Sequence, residues 1–397
     1  MLRLAASTAL LLPLLAVEAR ADCAPDDPAP GGAVVCTGTD ADGFASGAPG
    51  LSVTVEAGAS VATTSGGAIR VDGLGTQVEV LGTVEAQGAG DDGVLGLDGL
   101  GVVVGAGGAV TGGDEAVDGR DGLIVENAGT LSAGGEGIEG RDRAAVFNDA
   151  PGLITAVGDG VELREDAFVD NRGTIVSTGG DGVDVHSGLV LNEGTIEGAS
   201  AGVEVDASDA PLVLENDGTI RGSTGIDAAG TGNVESQFVR NAGLIEGTGG
   251  VAVDLGAGDD VFALEGSGRV IGDVVLGEGT DVLAFADFEG DASLVASLFD
   301  GGDALDTIVF ATLNSDDVSF VSFADFVLEL AVNLPPDVGS GGTYGLRVTN
   351  FERIAFVDVV SDIGGDGSLN PIPLPAGGAL LMGGLALLAG LRRRRAA

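Results

Sequence analysis

The residues able to do chemistry in this chain are almost all carboxylic acids. Of 397 residues, 61 are Asp or Glu and 17 are basic, with a single His, His186. All 17 basic residues are Arg, so neither a Schiff-base lysine nor a P-loop lysine has a counterpart here. One His and two Cys leave little for zinc sites or His-based triads. Carboxylate chemistry remains: acid–base work by a matched pair, or the holding of hard cations by oxygen ligands. Asp181, Asp184, Glu204, Asp206 and Asp227 are candidates for a pair that cleaves a polysaccharide. With 61 acids, a pair on adjacent segments is expected by chance, and no Trp and one Tyr leave little aromatic surface to grip a sugar ring. His186 reads as a surface residue. The expectation is a protein that is not an enzyme and has no obligate cofactor.

Charge narrows the partners. Without Glu18 and the six arginines of the two ends, residues 22–370 hold 60 acids and 11 arginines, a net of −49. Such a surface repels nucleic acid and anionic lipid, and invites divalent cations as bridges to other anionic polymers such as exopolysaccharide. The 72 glycines follow no three-residue period, and 44% hydrophobic residues exceed what a merely solvated chain carries.

The elements that must position these acids are short strands. Asn127-Ala-Gly-Thr-Leu131 returns as Asn171-Arg-Gly-Thr-Ile175, Asn192-Glu-Gly-Thr-Ile196, Asn216-Asp-Gly-Thr-Ile220 and Asn241-Ala-Gly-Leu-Ile245. With the degenerate copies upstream, the marking glycines run from Gly58 to Gly243 at intervals of 21 to 26 residues, which gives at least nine coils. Midway through each period lies a second motif, as in Asp159-Gly-Val161 and Asp181-Gly-Val183. Alternation such as Val183-Asp-Val185 and Val203-Glu-Val205 marks strands with one apolar face. Two or three strands per coil, repeated at this period, predict an all-β fold, a right-handed parallel β-helix whose stacked coils share one core. Val, Ile and Leu point inward. Gly takes positive φ at the corners, and the repeated Asn forms an amide ladder along the stack.

From residue 254 the motif changes. Leu255-Gly-Ala-Gly-Asp-Asp-Val-Phe262, Leu276-Gly-Glu-Gly-Thr-Asp-Val-Leu283 and Phe299-Asp-Gly-Gly-Asp-Ala-Leu-Asp-Thr-Ile308 place a Gly-rich, Asp-ended turn before a strand. They resemble the calcium-binding nonapeptide repeat, which makes Asp260, Asp281 and Asp306 candidate calcium ligands. Their spacings of 21 and 25 fit one per coil, whereas the calcium β-roll repeats every nine residues, so a structural turn is the competing reading. With Asn350-Phe-Glu-Arg-Ile354, the Asn-x-Gly-Thr-Ile units and these turns, residues 36–358 resemble the β-helical passengers of autotransporters. That resemblance implies a surface or adhesive role. Autotransporters continue into an outer-membrane barrel, which this chain lacks, so self-translocation does not carry over. Nine of the 14 Phe fall between Phe285 and Phe356 and suggest a differently packed cap.

Both ends read as address labels. Arg3, the apolar run Leu10 to Val17 and Ala19-Arg-Ala21 form a signal peptide, cut by signal peptidase before Asp22. Asp22 before Cys23 rules out a lipoprotein site. Cys23 and Cys36 are expected to form one disulfide in an exported chain. At the other end Pro371, Pro373, Leu374, Pro375 and Ala376 precede a charge-free stretch to Leu391, followed by Arg392, Arg393, Arg394 and Arg395. As a helix, the 16 residues from Ala376 to Leu391 span about 24 Å. That is short of a hydrocarbon core of roughly 30 Å, a gap that snorkelling arginines narrow. The terminal arginines stay cytoplasmic, leaving everything before Pro371 outside. This order resembles the VPLPA-type PEP-CTERM sorting signals, with Ile372 where Val is usual. The resemblance implies cleavage by an exosortase-like protease, from an inner-membrane-anchored intermediate to the envelope, surface or exterior.

The expected organisation is therefore a signal peptide over 1–21, a cap over 22–50, β-helix repeats over 51–265 and continuing coils with a cap over 266–360. A linker bearing the sorting motif over 361–375 and a transmembrane sorting helix with its Arg cluster over 376–397 complete it.

Overall fold

The computed structural model describes residues 22–206, 210–230, 232–286, 297–324, 327–334, 342–363 and 369–372. The signal peptide and the sorting helix expected from the sequence lie outside these residues. None of the described helices is long and apolar enough to cross a membrane.

The described chain is a parallel β-solenoid. Each central coil carries three short strands, for example Ala167–Asn171, Thr174–Ser177 and Val183–Val185, followed by Gly188–Asn192, Thr195–Glu197 and Ala201–Val205. Each strand pairs with its counterpart one coil on, without register slip between these two coils. Three faces result. The first is a 17-stranded sheet; the second and third join into one of 24 strands through Leu244–Asp254, which pairs with both Thr219–Gly222 and Thr224–Asp227.

Alternation explains the core. On the first face Val146, Val169, Val190 and Leu214 stack inward. On the second Ile154, Ile175, Ile196 and Ile220 do so, and on the third Val161, Val183, Val203 and Ile226, all fully buried. No coil could bury these side chains alone, so neighbours must share them. Coils begin earlier than expected: Ala33–Cys36 and Phe44–Ser46 already pair in parallel with the coil that follows. That first coil has Asp40 in register with Val61, where the degenerate marker carries its apolar residue, which is why sequence spacing passed over it.

Gly58, at the first marked corner, takes positive φ as expected, but at the Asn-x-Gly corners glycine has a different reason. Gly173, Gly194, Gly218 and Gly243 do not take positive φ. A Cβ on any of them would land on the carbonyl oxygen of the corresponding glycine in the coil before, so close stacking is what demands Gly. Positive φ is needed at the later turns, at Gly256, Gly277 and Gly302.

Both ends are closed by antiparallel strands. Cys23–Ala24 runs against Ala33–Cys36, where Cys23 and Cys36 form a disulfide. At the other end Val318–Ala324, Val327–Leu334 and Gly342–Thr349 make an antiparallel meander. The phenylalanines gather near it: Phe285 stacks on Phe310 at 5.1 Å, and Phe310 on Phe356 at 5.6 Å. Part of the stretch expected to be a linker also pairs, since Val360–Ile363 runs antiparallel to Leu369–Ile372.

Candidate functional site: an acidic face

The third face carries the chemistry. In seven consecutive coils an outward acid stands immediately after the inward Val or Ile, and strand pairing brings them into one column: Asp118, Glu139, Glu162, Asp184, Glu204, Asp227 and Asp254. Adjacent parallel strands lie about 4.8 Å apart, so the column is a line of like charges at that spacing. Opposite signs flank only its first part. Arg120, Arg141 and Arg164 stand three positions beyond inward Val117, Ile138 and Val161, whereas His186 and Asp206 hold that offset from Val183 and Val203.

The column resists full ionisation. Partial burial, then the neighbouring carboxylates, push Asp118 up to about 7, Glu162 to about 7, Asp184 to about 8 and Glu204 to about 7. Glu139 and Asp254 move the same way for the same causes. Arg120, Arg141 and Arg164 oppose the shift at the near end of the column. One oxygen of Asp184, Oδ1, is buried with no hydrogen-bond partner.

Two tighter groups stand beside the column. Carboxylate oxygens of Asp92, Asp114 and Glu115 lie within 4.8 Å of one another, as do those of Glu136, Asp159 and Glu162. Burial and a hydrogen bond with Asp92 raise Glu115 to about 9. Farther along, a groove of about 610 Å³ is lined by His186, Glu204, Asp206, Asp227 and Asp254. In it His186 lies 3.7 Å from Glu165 and 3.8 Å from Asp206.

The acids singled out from the sequence therefore share one face: Asp184, Glu204 and Asp227 lie in the column, Asp206 in the groove, and Asp181 at the turn into the face. Sequence reasoning missed Asp118, Glu139, Glu162 and Asp254. The signal was available, because an acid follows the inward residue of the mid-period motif in seven consecutive coils.

Asp260, Asp281 and Asp306 do not converge. Each lies fully buried at the entry to a first-face strand, one per coil. Oδ1 of Asp260 accepts the backbone N–H of Gln237, Oδ1 of Asp281 that of Asp260 at 2.7 Å, and Oδ1 of Asp306 that of Asp281 at 2.8 Å. Glu352, from the Asn350 to Ile354 motif, continues the series by accepting from Asp306 at 2.8 Å. These acids tie successive coils together through one oxygen, while Oδ2 of each aspartate is buried without a partner. Burial, opposed by that N–H bond, raises Asp260 to about 7, Asp281 to about 6 and Asp306 to about 7.

Of the sorting motif, Pro371 lies in the terminal strand opposite Ser361. Pro373, Leu374, Pro375, Ala376 and Arg392 to Arg395 lie outside the described residues.

A polysaccharide-cleaving pair needs one matched acid and base, and two carboxyls about 5 Å apart suit a retaining mechanism. Here one carboxyl per coil recurs along the whole column, which singles out no pair. What the arrangement does everywhere is concentrate negative charge along a line, so it takes up protons or cations. No protein-family model matches the chain, and no curated protein or solved structure does either.

Proposed function

We propose that this is an exported, envelope-sorted surface or extracellular-matrix protein, not an enzyme. In this reading its β-helix acts in adhesion or in exopolysaccharide-associated structure. The observation that carries the proposal is the seven-carboxylate column, a repetitive charged line running along the solenoid rather than focused on one centre. Divalent cations held along it bridge to anionic polymers. The terminal sequences supply the address: signal peptidase removes 1–21, and an exosortase-like protease acts at the VPLPA-type motif. The autotransporter-like repeats agree with a surface role. The groove at His186 favours a second reading, a β-helical lyase or hydrolase acting on acidic polysaccharide, with Glu204 and Asp227 as its acid–base pair.

One experiment separates the two. The full chain is incubated with polygalacturonate at pH 8, with millimolar Ca²⁺ or with a chelator, and both co-sedimentation and polymer length are followed. The proposal expects Ca²⁺-dependent binding, released by the chelator, with polymer length unchanged. Shortening of the polymer that Glu204→Gln or Asp227→Asn abolishes establishes the rival reading instead.

A further inference from the structure

The buried acids of the later turns lack a counter-charge. Asp260, Asp281 and Asp306 stand one above another, because the strands they precede pair through Val261, Val282 and Thr307. All three are fully buried, and Oδ2 of each has no hydrogen-bond partner. Besides one another, the charged groups that act on them are Asp259, Asp300 and Glu352, all acidic. An unpaired buried carboxylate is costly, and here three recur in adjacent coils. Accepting a backbone N–H does not explain the choice, since an amide does that without charge. Gln237 holds the same register position one coil earlier, and both ends of its amide are used: Oε1 accepts from the N–H of Leu212, and Nε2 donates to the carbonyl of Glu235. Aspartate at the next three coils leaves one oxygen over.

The spacing of the coils selects the occupant. Each carboxylate leans across a gap, with Oδ1 of Asp281 on the N–H of Asp260 and Oδ1 of Asp306 on that of Asp281. An ion midway across a coil rise of about 4.8 Å stands about 2.4 Å from ligands on either side. That lies within the roughly 2.3–2.6 Å of calcium–oxygen bonds and is too long for magnesium, at about 2.0–2.1 Å. Backbone oxygens crowd the same turns. Ala257, Glu278 and Asp303 bridge in parallel, and a Cβ on Gly277, Gly279 or Gly302 would strike the carbonyl oxygen of Gly256, Gly258 or Gly277 one coil back. Carbonyl oxygens of this kind complete a calcium shell.

We infer that calcium ions lie in the two gaps, one between Asp260 and Asp281 and one between Asp281 and Asp306, and pin the last coils of the solenoid together. The three aspartates share no single centre; each gap is a site. Two ions carry four positive charges, which match the three aspartates and Glu352, the acid that ends the series on the N–H of Asp306. Because these oxygens are closed to solvent, the ions enter as the coils stack, so binding is coupled to folding of this end. The sites are independent of what the acidic face binds.

The test melts the full chain at pH 8 after dialysis against a chelator, and again with millimolar Ca²⁺ or Mg²⁺. Asp281→Asn keeps the oxygen that accepts the N–H and removes the charge common to both gaps, while Asp184→Asn controls for the acidic face. The inference expects Ca²⁺, and not Mg²⁺, to raise the melting temperature of the unaltered chain and of Asp184→Asn by about 5 °C or more, with most of that shift lost in Asp281→Asn. Hydrogen exchange should slow with Ca²⁺ in Val261–Glu265, Val282–Ala286 and Thr307–Phe310, and stay unchanged in Ala167–Asn171. If Asp281→Asn fails to fold, Asp260→Asn, which touches one gap only, should keep part of the shift. An equal Ca²⁺ shift in Asp281→Asn puts the calcium on the acidic face alone and overturns the inference. So does an Asp281→Asn chain stabilised by the same margin with and without Ca²⁺, which is the mark of buried carboxyls that hold protons instead.

Discussion

At the scale of single residues, the asparagine of each coil is a coupling between coils. Asn127 donates from Nδ2 to Oδ1 of Asn148, and the pattern continues through Asn171, Asn192 and Asn216 to Asn241, every bond at 2.8 Å. Nδ2 of Asn192 also reaches the carbonyl of Thr219 at 3.1 Å, so the amide satisfies a backbone group as well as its neighbour. All six asparagines are buried, and a gap in the ladder strands donors and acceptors that water cannot reach. Asn192→Ala should therefore cost about 2–4 kcal/mol, from three lost bonds, to Asn171, Asn216 and the carbonyl of Thr219, and the partners they leave behind. Outward Thr195→Ala should cost within about 0.5 kcal/mol. Urea unfolding of both variants checks this, and similar midpoints would show the ladder to be incidental. Beyond Asn241 the same register position is filled by Leu264, Phe285 and Phe310. Ring stacking needs no hydrogen-bond partner, so the corner stays filled where the amide ladder ends.

At the scale of the strand and its neighbours, the acidic column makes the fold sensitive to pH in a definite direction. Asp118, Glu139, Glu162, Asp184, Glu204 and Asp254 titrate near 4 when unfolded and are raised in the folded protein, as far as about 8 at Asp184. Between those values the native state binds more protons than the unfolded one, so stability is greatest near pH 4 and declines as pH rises to 8. Melting temperature is expected to fall by roughly 5 °C or more over that range. Asp184→Asn should raise it at pH 8 and leave it unchanged near pH 4, and a melting temperature flat from pH 4 to 8 contradicts this account. The strands behind the column were legible in the sequence because Val183-Asp-Val185 and Asn192-Glu-Gly-Thr-Ile196 carry the period-2 and coil-length signals directly. The column was less so. Its members each follow the inward residue of the mid-period motif, but they lie 20 to 27 residues apart, and strand pairing is what aligns such unequal steps in one line. The antiparallel meander from Val318 to Thr349 left only its phenylalanines as a trace, since its partners are set by tertiary pairing rather than by a repeat.

At the scale of the whole molecule, three faces and two ends divide the labour. An acidic face that runs along seven coils leaves its charge open to partners, as the proposed surface role requires. That role depends on release from the membrane, and the terminal sequence makes the release testable. Residues 369–372 still pair with Val360–Ile363, and Pro371 of the expected sorting motif lies within that pairing. The proposed sorting protease would read Pro373 and Pro375, which lie outside the described residues. Proline restricts φ to near −65°, which reduces the conformations among which a protease must select. Replacing Pro373 and Pro375 with Ala removes this restriction without touching the core, so the rod should fold as before while cutting fails. In cells that carry the sorting protease, the expected outcome is a chain about two dozen residues longer than the released form, retained in the membrane fraction and absent from the surface. Removing Arg392 to Arg395 should act differently, by letting the span slip through the bilayer, so that uncut chain appears outside. Normal release of the double proline variant would sink the sorting-protease proposal and leave the tail as a plain anchor.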